Sequence, residues 1–208
     1  MKIGCAILAG GKSSRMGTDK ALLEFEGKQF ITQIAEELSW FDERIIARGG
    51  NSRLEGELER EWTVIPDFYP DHGPIGGLHA ALSACESDAL FVVTCDMPLI
   101  RSELVRRLCE EMQNADGPGS ALAGEHVDAY DAIISVGMDG KVHPLCGVYR
   151  KSALPVLEEQ ILSGRNKVMA VLERLQVKYV SIDSSAEAQQ LSNINTPLDY
   201  EKLKGKAE

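Results

Sequence analysis

The chain has 208 residues, of which 44% are hydrophobic, 26% charged and 6% aromatic, a composition typical of globular proteins rather than disordered chains. Its formal net charge of -10 argues against a broad basic surface for nucleic acid. The first apolar run is too short for a signal peptide, and no later run approaches the length of a membrane span. The five cysteines form no C-x-x-C pair and are predicted to be free thiols. We therefore expect a cytoplasmic protein that binds neither nucleic acid nor a membrane.

Short apolar segments alternate with helical periodicity along the chain. Strands are predicted at 3–8, 44–47, 62–65, 89–94, 132–136, 145–149 and 177–182. Helices are predicted around 31–38, 54–62, 78–84, 104–112, 154–161 and 168–175, and after Thr196, the candidate N-cap of a last helix. This alternation predicts an α/β fold, a three-layer sandwich with a mostly parallel, Rossmann-like central sheet. No long linker interrupts it, so we expect one domain over residues 1–208. Its two halves, about 1–115 and 120–208, would meet near the loop 116–120.

The segment LAGGKSSRMGTDK, residues 8–20, follows the first strand directly. A loop at the carboxyl end of such a strand is where α/β proteins bind ligands, and its glycines let backbone N–H groups approach an anion. Arg15, Lys20 and Lys12 add positive charge in an otherwise acidic chain. The segment is neither a P-loop, since Ala6 stands where a glycine is needed, nor a G-x-G-x-x-G fingerprint. It predicts a different kind of anion site, the alternative being a solvated glycine turn.

Asp96 follows the apolar strand 89–94 in the segment CDMP. Mg²⁺ is typically held by one or two carboxylates together with substrate phosphates, and a carboxylate at a strand end is placed for that role. The alternative is an aspartate that only caps the turn after the strand.

These segments resemble the MobA-like molybdenum cofactor guanylyltransferases. Residues 8–20 are similar to the signature L-A-G-G-x-S-x-R-M-G-x-x-K, and Cys95 to Pro98 resemble the metal-binding aspartate motif. Four further segments match over most of the chain: VIPD at 64–67, GPIGG at 73–77, HP at 143–144 and NINTP at 193–197. One departure is Arg48, which stands where family members often carry an asparagine, with Asn51 three residues later.

The resemblance implies transfer of GMP from GTP to the terminal phosphate of molybdopterin, giving molybdopterin guanine dinucleotide and pyrophosphate. The first half would bind the nucleotide and the second half the acceptor. The catalytic residues would be Lys20, Arg15 and Asp96. Nucleotide contacts are expected from Leu8, Ala9, Gly10, Gly11, Lys20, Asp67 and Asp96. The cofactor Mg²⁺ would be held by Asp96 and Asn195, and the acceptor by Asn193 and Asn195.

Guanine is expected because Gly10 and Gly11 match L-A-G-G, where cytidylyl relatives often have L-A-A-G. The alternatives are a molybdopterin cytidylyltransferase or a sugar-phosphate nucleotidyltransferase, and, from another class, a nucleotide-binding protein of the same fold without turnover. The implied protein partners are an adaptor GTPase and the molybdoenzymes that accept the product.

Overall fold

The structure, a computed structural model, describes residues 1–10, 20–48, 57–115 and 129–205. Its strands are β1 (Ile3–Leu8), β2 (Glu24–Phe25), β3 (Lys28–Gln29), β4 (Arg44–Arg48), β5 (Thr63–Pro66), β6 (Ala89–Thr94), β7 (Ala132–Val136), β8 (Val142–Arg150) and β9 (Val177–Ser181). Its helices are α1 (Phe30–Glu37), α2 (Glu57–Glu61), α3 (Pro74–Ala84), α4 (Ser102–Asn114), α5 (Leu154–Leu162), α6 (Val168–Leu172), α7 (Ser185–Gln190) and α8 (Pro197–Lys204).

The central sheet has the strand order β5-β4-β1-β6-β8-β7-β9 in the described part of the chain. β5, β4, β1 and β6 are parallel, β8 is antiparallel to both β6 and β7, and β9 is parallel to β7. β1 and β6 are almost entirely buried, because helices cover both faces of the sheet. Because β1 and β6 are parallel neighbours, their carboxyl ends lie at the same edge of the sheet. The residues that follow the two strands are therefore neighbours in space.

Two apolar clusters, one on each face of the sheet, make up most of the core. One contains buried residues of α1 and α4, such as Ile34 and Leu108, and the other contains buried residues of α3, α5 and α6, such as Leu78 and Leu157. Helix, sheet and helix layers follow one another, which confirms the predicted three-layer α/β sandwich with a mostly parallel sheet. Among the described residues no helix has the length and apolar character needed to cross a membrane.

The predicted elements agree with the structure except at a few ends and in two short segments. β8 begins at Val142 rather than at Leu145, because Val142 and His143 continue the pairing with β7 beyond an irregularity near Ser135. The hairpin β2–β3 and the helix α7 were not predicted. The hairpin turns through Glu26 and Gly27, both at positive φ, a short turn without an apolar pattern to reveal it.

A third, smaller cluster attaches the C-terminal helix to the rest of the molecule. Phe25, Phe30, Ile194 and Leu203 pack together there, so α8 lies against the start of α1 and the hairpin. Thr196 caps α8 as predicted, in a capping box with Asp199. The loop predicted at 116–120 lies outside the described residues.

Candidate active site

A cleft of about 320 Å³ opens at the carboxyl edge of the sheet, between the ends of β1 and β6 and the β7–β8 hairpin. Its lining consists of Leu8, Ala9, Gly10, Lys20, Pro74, Thr94, Cys95, Asp96, Met97, Lys141, Val142, His143, Pro144, Leu145, Asn193 and Asn195. The backbone at the end of β1 is held on both sides: Ala9 N–H donates to the carbonyl of Ala47, and Cys95 N–H donates to the carbonyl of Leu8. The loop that starts at Gly10 therefore begins from a fixed point.

The two carboxylate oxygens of Asp96 have different surroundings. Oδ1 accepts hydrogen bonds from the Thr94 hydroxyl at 2.6 Å and from Nδ2 of Asn193 at 3.0 Å. Oδ2 lies 3.4 Å from the ammonium of Lys20. One oxygen is therefore occupied by neutral donors, while the other faces a cation in the cleft.

Lys20 lies at the start of a short 3-10 helix, Lys20–Leu22, directly after the glycine-rich loop. Besides its contact with Asp96, its ammonium donates to Oδ1 of Asn195 at 2.7 Å. Only 18% of the Lys20 side chain and 16% of the Asp96 side chain are exposed, so this ion pair is largely shielded from solvent. Such shielding strengthens electrostatic interactions relative to those at an open surface.

Asn193 and Asn195 reach the site because the segment before α8 is tied to the end of β6. Ile194 N–H donates to the carbonyl of Asp96 at 2.8 Å. The Asn195 N–H donates to Asp199 Oδ2 at 3.1 Å, so the capping box of α8 also fixes this segment. The two asparagines thus lie on either side of a backbone hydrogen bond to Asp96.

The residues that face Lys20 suit a divalent cation. A carboxylate oxygen of Asp96 and an amide oxygen of Asn195 already contact one positive charge, the lysine ammonium. Oxygen atoms of this kind are the ligands that Mg²⁺ prefers. Within the described part of the chain no group of three or more His, Cys, Asp or Glu residues is arranged to hold a metal, so a cation here would need oxygen atoms from a substrate or water as well.

Asp67 is not among the residues that line this cleft. Its Oδ1 accepts the N–H of Tyr69 at 2.9 Å, and its carboxylate lies against the first turn of α3, where a Cβ on Gly76 would come within 2.6 Å of it. Burial raises the pKa of Asp67, and the Tyr69 N–H and the nearby histidines His72 and His79 only partly oppose this. The nucleotide contact expected of Asp67 stays a prediction.

The opposite wall of the cleft carries Lys141 and His143, from the start of β8. His143 is mostly buried, and burial, assisted by the charge of Lys141, lowers its pKa below the ordinary value despite Asp139. A histidine with a lowered pKa is neutral at pH 7 and can both donate and accept a hydrogen bond. This wall therefore offers one exposed cation and one neutral imidazole.

The structure brings together most of the predicted site residues. Leu8, Ala9, Gly10, Lys20, Asp96, Asn193 and Asn195 all line the cleft. Gly11 and Arg15 lie outside the described residues. Sequence reasoning missed Thr94 and Lys141. The spacing of Thr94, two residues before a strand-end carboxylate, is the one signal that pointed to it, and this spacing does not show how the two side chains are oriented.

Comparisons with known proteins identify the family of the chain. A family model described as "MobA-like NTP transferase domain" matches residues 5–179. A protein of Carboxydothermus hydrogenoformans named "Probable molybdenum cofactor guanylyltransferase" is 32% identical over 202 residues, covering 95% of this chain and 93% of the relative. One of Clostridium perfringens with the same name is 32% identical over 215 residues, covering 100% of this chain and 99% of the relative.

Solved structures share the fold. Molybdopterin-guanine dinucleotide biosynthesis protein A from Archaeoglobus fulgidus has a TM-score of 0.76 and 29% identity, covering 100% of this chain and 98% of that one. A 2-C-methyl-D-erythritol 4-phosphate cytidylyltransferase from Thermus thermophilus has a TM-score of 0.69 at 13% identity, covering 100% of this chain and 99% of that one, which is a likeness of fold alone. The family match extends over most of the chain, and the resemblance noted in its motifs is confirmed: the chain belongs to the MobA-like NTP transferase family and is a nucleotidyltransferase.

Proposed function

We propose that this protein transfers GMP from GTP to the terminal phosphate of molybdopterin, forming molybdopterin guanine dinucleotide and releasing pyrophosphate. The observation that carries the proposal is the convergence of Lys20, Asp96 and Asn195 in one cleft, with the Lys20 ammonium 2.7 Å from Asn195 Oδ1 and 3.4 Å from Asp96 Oδ2. The names of the relatives at 32% identity supply the acceptor and the nucleotide.

In the proposed reaction an oxygen of the acceptor phosphate attacks the α-phosphorus of GTP. The new bond joins that oxygen to the α-phosphorus, and the bond from the α-phosphorus to the bridging oxygen of the β-phosphate breaks, so that the electron pair leaves with pyrophosphate. The acceptor phosphate is already ionised at neutral pH, so the protein need not supply a nucleophile or a strong base. Its task is to bring two anions together and to balance their charge.

The position of Lys20 supports a role in that task. Lys20 lies directly after the glycine-rich loop and projects into the cleft, where its ammonium can neutralise a phosphate oxygen. The backbone after β1, at Ala9 and Gly10, forms the adjacent wall and can approach the nucleotide closely. Arg15, from the same loop, is expected to hold the leaving pyrophosphate.

Asp96 Oδ2 and Asn195 Oδ1 are the atoms that would hold Mg²⁺ in this site. When bound, the ion would act as a Lewis acid and a template for the phosphates. Lys20 would then release these two oxygens and turn toward the phosphate groups. Because the protein supplies so few oxygen ligands, the cation and the nucleotide are expected to bind together.

The choice of guanine depends on Gly10 and Gly11. A methyl group at the second glycine would crowd a purine more than a pyrimidine, so a pair of glycines favours GTP over CTP. An adaptor GTPase and acceptor molybdoenzymes are proposed as protein partners. The cytoplasm is proposed as the location, because all five cysteines are buried thiols outside disulfides, in accord with a reducing compartment.

The test starts with thermal unfolding of the purified protein with Mg²⁺ and each of GTP, ATP, CTP and UTP, since a ligand that binds the native state raises its melting temperature. We expect a shift selective for GTP. Incubation with GTP, Mg²⁺ and molybdopterin should then release pyrophosphate and yield the guanine dinucleotide. A shift and a product specific to CTP would instead support the cytidylyltransferase alternative.

Asp96→Ala separates the enzyme from a nucleotide-binding protein without turnover. For the enzyme we expect product formation to be lost while the protein stays folded. Full turnover in this variant would contradict the proposed role of Asp96. Nucleotide binding without any product from the unaltered protein would favour the non-catalytic alternative.

A further inference from the structure

Thr94, the last residue of β6, donates its hydroxyl hydrogen bond to Asp96. The contact is made at Oδ1 over 2.6 Å, on the oxygen that also accepts Nδ2 of Asn193 at 3.0 Å. Oδ2 receives neither donor and lies 3.4 Å from the Lys20 ammonium. The two oxygens of one carboxylate are therefore divided between two tasks.

This division fixes the rotation of the carboxylate. The torsion between Cβ and Cγ of an aspartate is soft, so an unrestrained carboxylate exchanges its two oxygens readily. Two donors on one oxygen remove that freedom and leave the other oxygen directed at the cleft. Outer groups that orient metal-binding side chains in this way commonly matter almost as much as the ligands themselves.

Thr94 is the better anchored of the two donors. Its backbone lies in the sheet, in register with Leu8 of β1, and its β-branched side chain has restricted rotation about χ1. Asn193, by contrast, belongs to the segment before α8 and reaches Asp96 across 97 residues of sequence. The direction of the Thr94 hydroxyl is therefore set by the strand and does not depend on the C-terminal segment.

We propose that Thr94 is a positioning residue: its hydroxyl holds Asp96 so that Oδ2 alone meets the divalent cation that accompanies the nucleotide. The inference depends on the proposed function, because it assumes that Asp96 is a metal ligand. It assigns to Thr94 no contact with substrate and no part in the bond changes.

The test measures cation binding rather than activity alone. Mn²⁺, followed by the electron paramagnetic resonance signal of the free ion, is titrated into the protein with one equivalent of GTP, and the same titration of GTP alone is subtracted because GTP itself binds Mn²⁺. For Thr94→Val, which keeps the shape of the side chain and removes the hydroxyl, we expect the half-saturating Mn²⁺ concentration to rise about ten-fold or more. Thr94→Ser, which restores a hydroxyl, should return it toward the value of the unaltered protein.

Thr63→Val is the matched control. Thr63 is also a strand threonine, but it lies at the amino end of β5, whereas Thr94 lies at the carboxyl end of β6. Thr63→Val should leave the Mn²⁺ titration unchanged. If Thr94 only stabilised the turn, Thr94→Val would lower the melting temperature without moving the half-saturating Mn²⁺ concentration, and the proposal would be overturned.

Asp96→Ala distinguishes failure of this proposal from failure of the proposed function. If Asp96→Ala weakens Mn²⁺ binding and Thr94→Val does not, only the role of Thr94 is wrong. If Asp96→Ala also leaves Mn²⁺ binding unchanged, Asp96 is not a metal ligand and both proposals fall.

Discussion

Two carboxylates at opposite ends of the central strands, Glu43 and Asp96, have contrasting surroundings. Glu43 precedes β4, and its oxygens accept the backbone N–H groups of Glu86 at 2.6 Å and Ser87 at 2.8 Å, after the end of α3. Asp96 accepts side-chain hydrogen bonds from Thr94, two residues before it, and from the distant Asn193, and directs its other oxygen at a lysine in a cleft.

Both residues are carboxylates, so the contrast comes from the groups that donate hydrogen bonds to them. Partial burial acts to raise the pKa of Glu43, but its hydrogen bonds to Ser87, Glu86 and Cys85 outweigh this, so the pKa of Glu43 is lowered. Both of its oxygens accept hydrogen bonds from backbone N–H groups, so Glu43 links the start of β4 to the segment after α3. A carboxylate is available for chemistry when, like Asp96, it has an oxygen that is not needed by the fold.

The largest expected effect is that of Asp96→Asn on turnover. The substitution keeps the size of the side chain and removes the charge that faces the proposed cation site, so we expect kcat to fall about 10³-fold. Thermal unfolding should change little. Glu43→Gln is the matched control and should leave kcat unchanged; equal losses of activity in the two variants would contradict the contrast.

Lys20→Met should reduce turnover about 100-fold, since it removes the ammonium that neutralises phosphate charge in the proposed reaction. It should also strengthen Mn²⁺ binding in the absence of GTP, because the Lys20 ammonium lies between the same two oxygens, Asp96 Oδ2 and Asn195 Oδ1. Both effects can be measured, by product formation and by Mn²⁺ titration. Weaker Mn²⁺ binding in the variant would show that ammonium and metal do not compete.

Asp67 follows β5 at the same edge of the sheet where Asp96 follows β6. Gly76→Ala tests whether the Asp67 carboxylate nevertheless serves only to stabilise the fold, as that of Glu43 does. A Cβ at position 76 would lie 2.6 Å from Asp67 Oδ1 and 2.8 Å from the Tyr69 carbonyl, so we expect a loss of about 1–3 kcal/mol in the free energy of unfolding. Gly77→Ala is the control, since its Cβ would meet only Leu8 Cδ2, at 3.7 Å. Urea unfolding measures both.

A higher KM for GTP in Gly76→Ala, at unchanged stability, would instead support the predicted contact between Asp67 and the nucleotide. Asp67 would then act on the substrate, as proposed for Asp96, rather than only stabilise the fold, as Glu43 does.

Glu43→Gln should cost about 1–2 kcal/mol at pH 7, because the new amide group would leave one backbone N–H without an acceptor. The pH dependence follows from the lowered pKa of Glu43. A carboxyl group with a lowered folded-state pKa stabilises the fold above its unfolded pKa, about 4.3, and loses that contribution as the pH falls through the folded value. The stability gap between the two proteins should therefore shrink in urea unfolding at acidic pH. A gap that is constant from pH 7 to pH 3 would contradict the assignment.

Much of the fold could be predicted from local patterns. β1 and β6 are uninterrupted apolar runs because both of their faces are covered. The start of α8 is indicated by Thr196, Pro197 and Asp199, which form an N-terminal capping pattern within four residues. The hairpin through Glu26 and Gly27 and the helix α7 were missed, because neither carries a long periodic pattern.

The site could be predicted only in part, because its geometry depends on contacts between residues that are far apart in the sequence. Sequence identified Lys20, Asp96, Asn193 and Asn195 through their motifs, but not how they meet. The 2.7 Å contact from Lys20 to Asn195 joins positions 175 residues apart, and no local pattern encodes such a pairing. Thr94, although only two residues from Asp96, needed the orientation of both side chains before its role could be inferred.

The sequence by itself determined the order of elements and the motifs that supply most of the residues at the cleft, since these depend on patterns among near neighbours in the chain. Only the tertiary structure decided which oxygen of Asp96 faces Lys20, and that Asp67 lies beside α3 rather than on the cleft lining. Those outcomes depend on how the ends of parallel strands and the segment before α8 come together at one edge of the sheet. Packing between distant parts of the chain fixes that geometry.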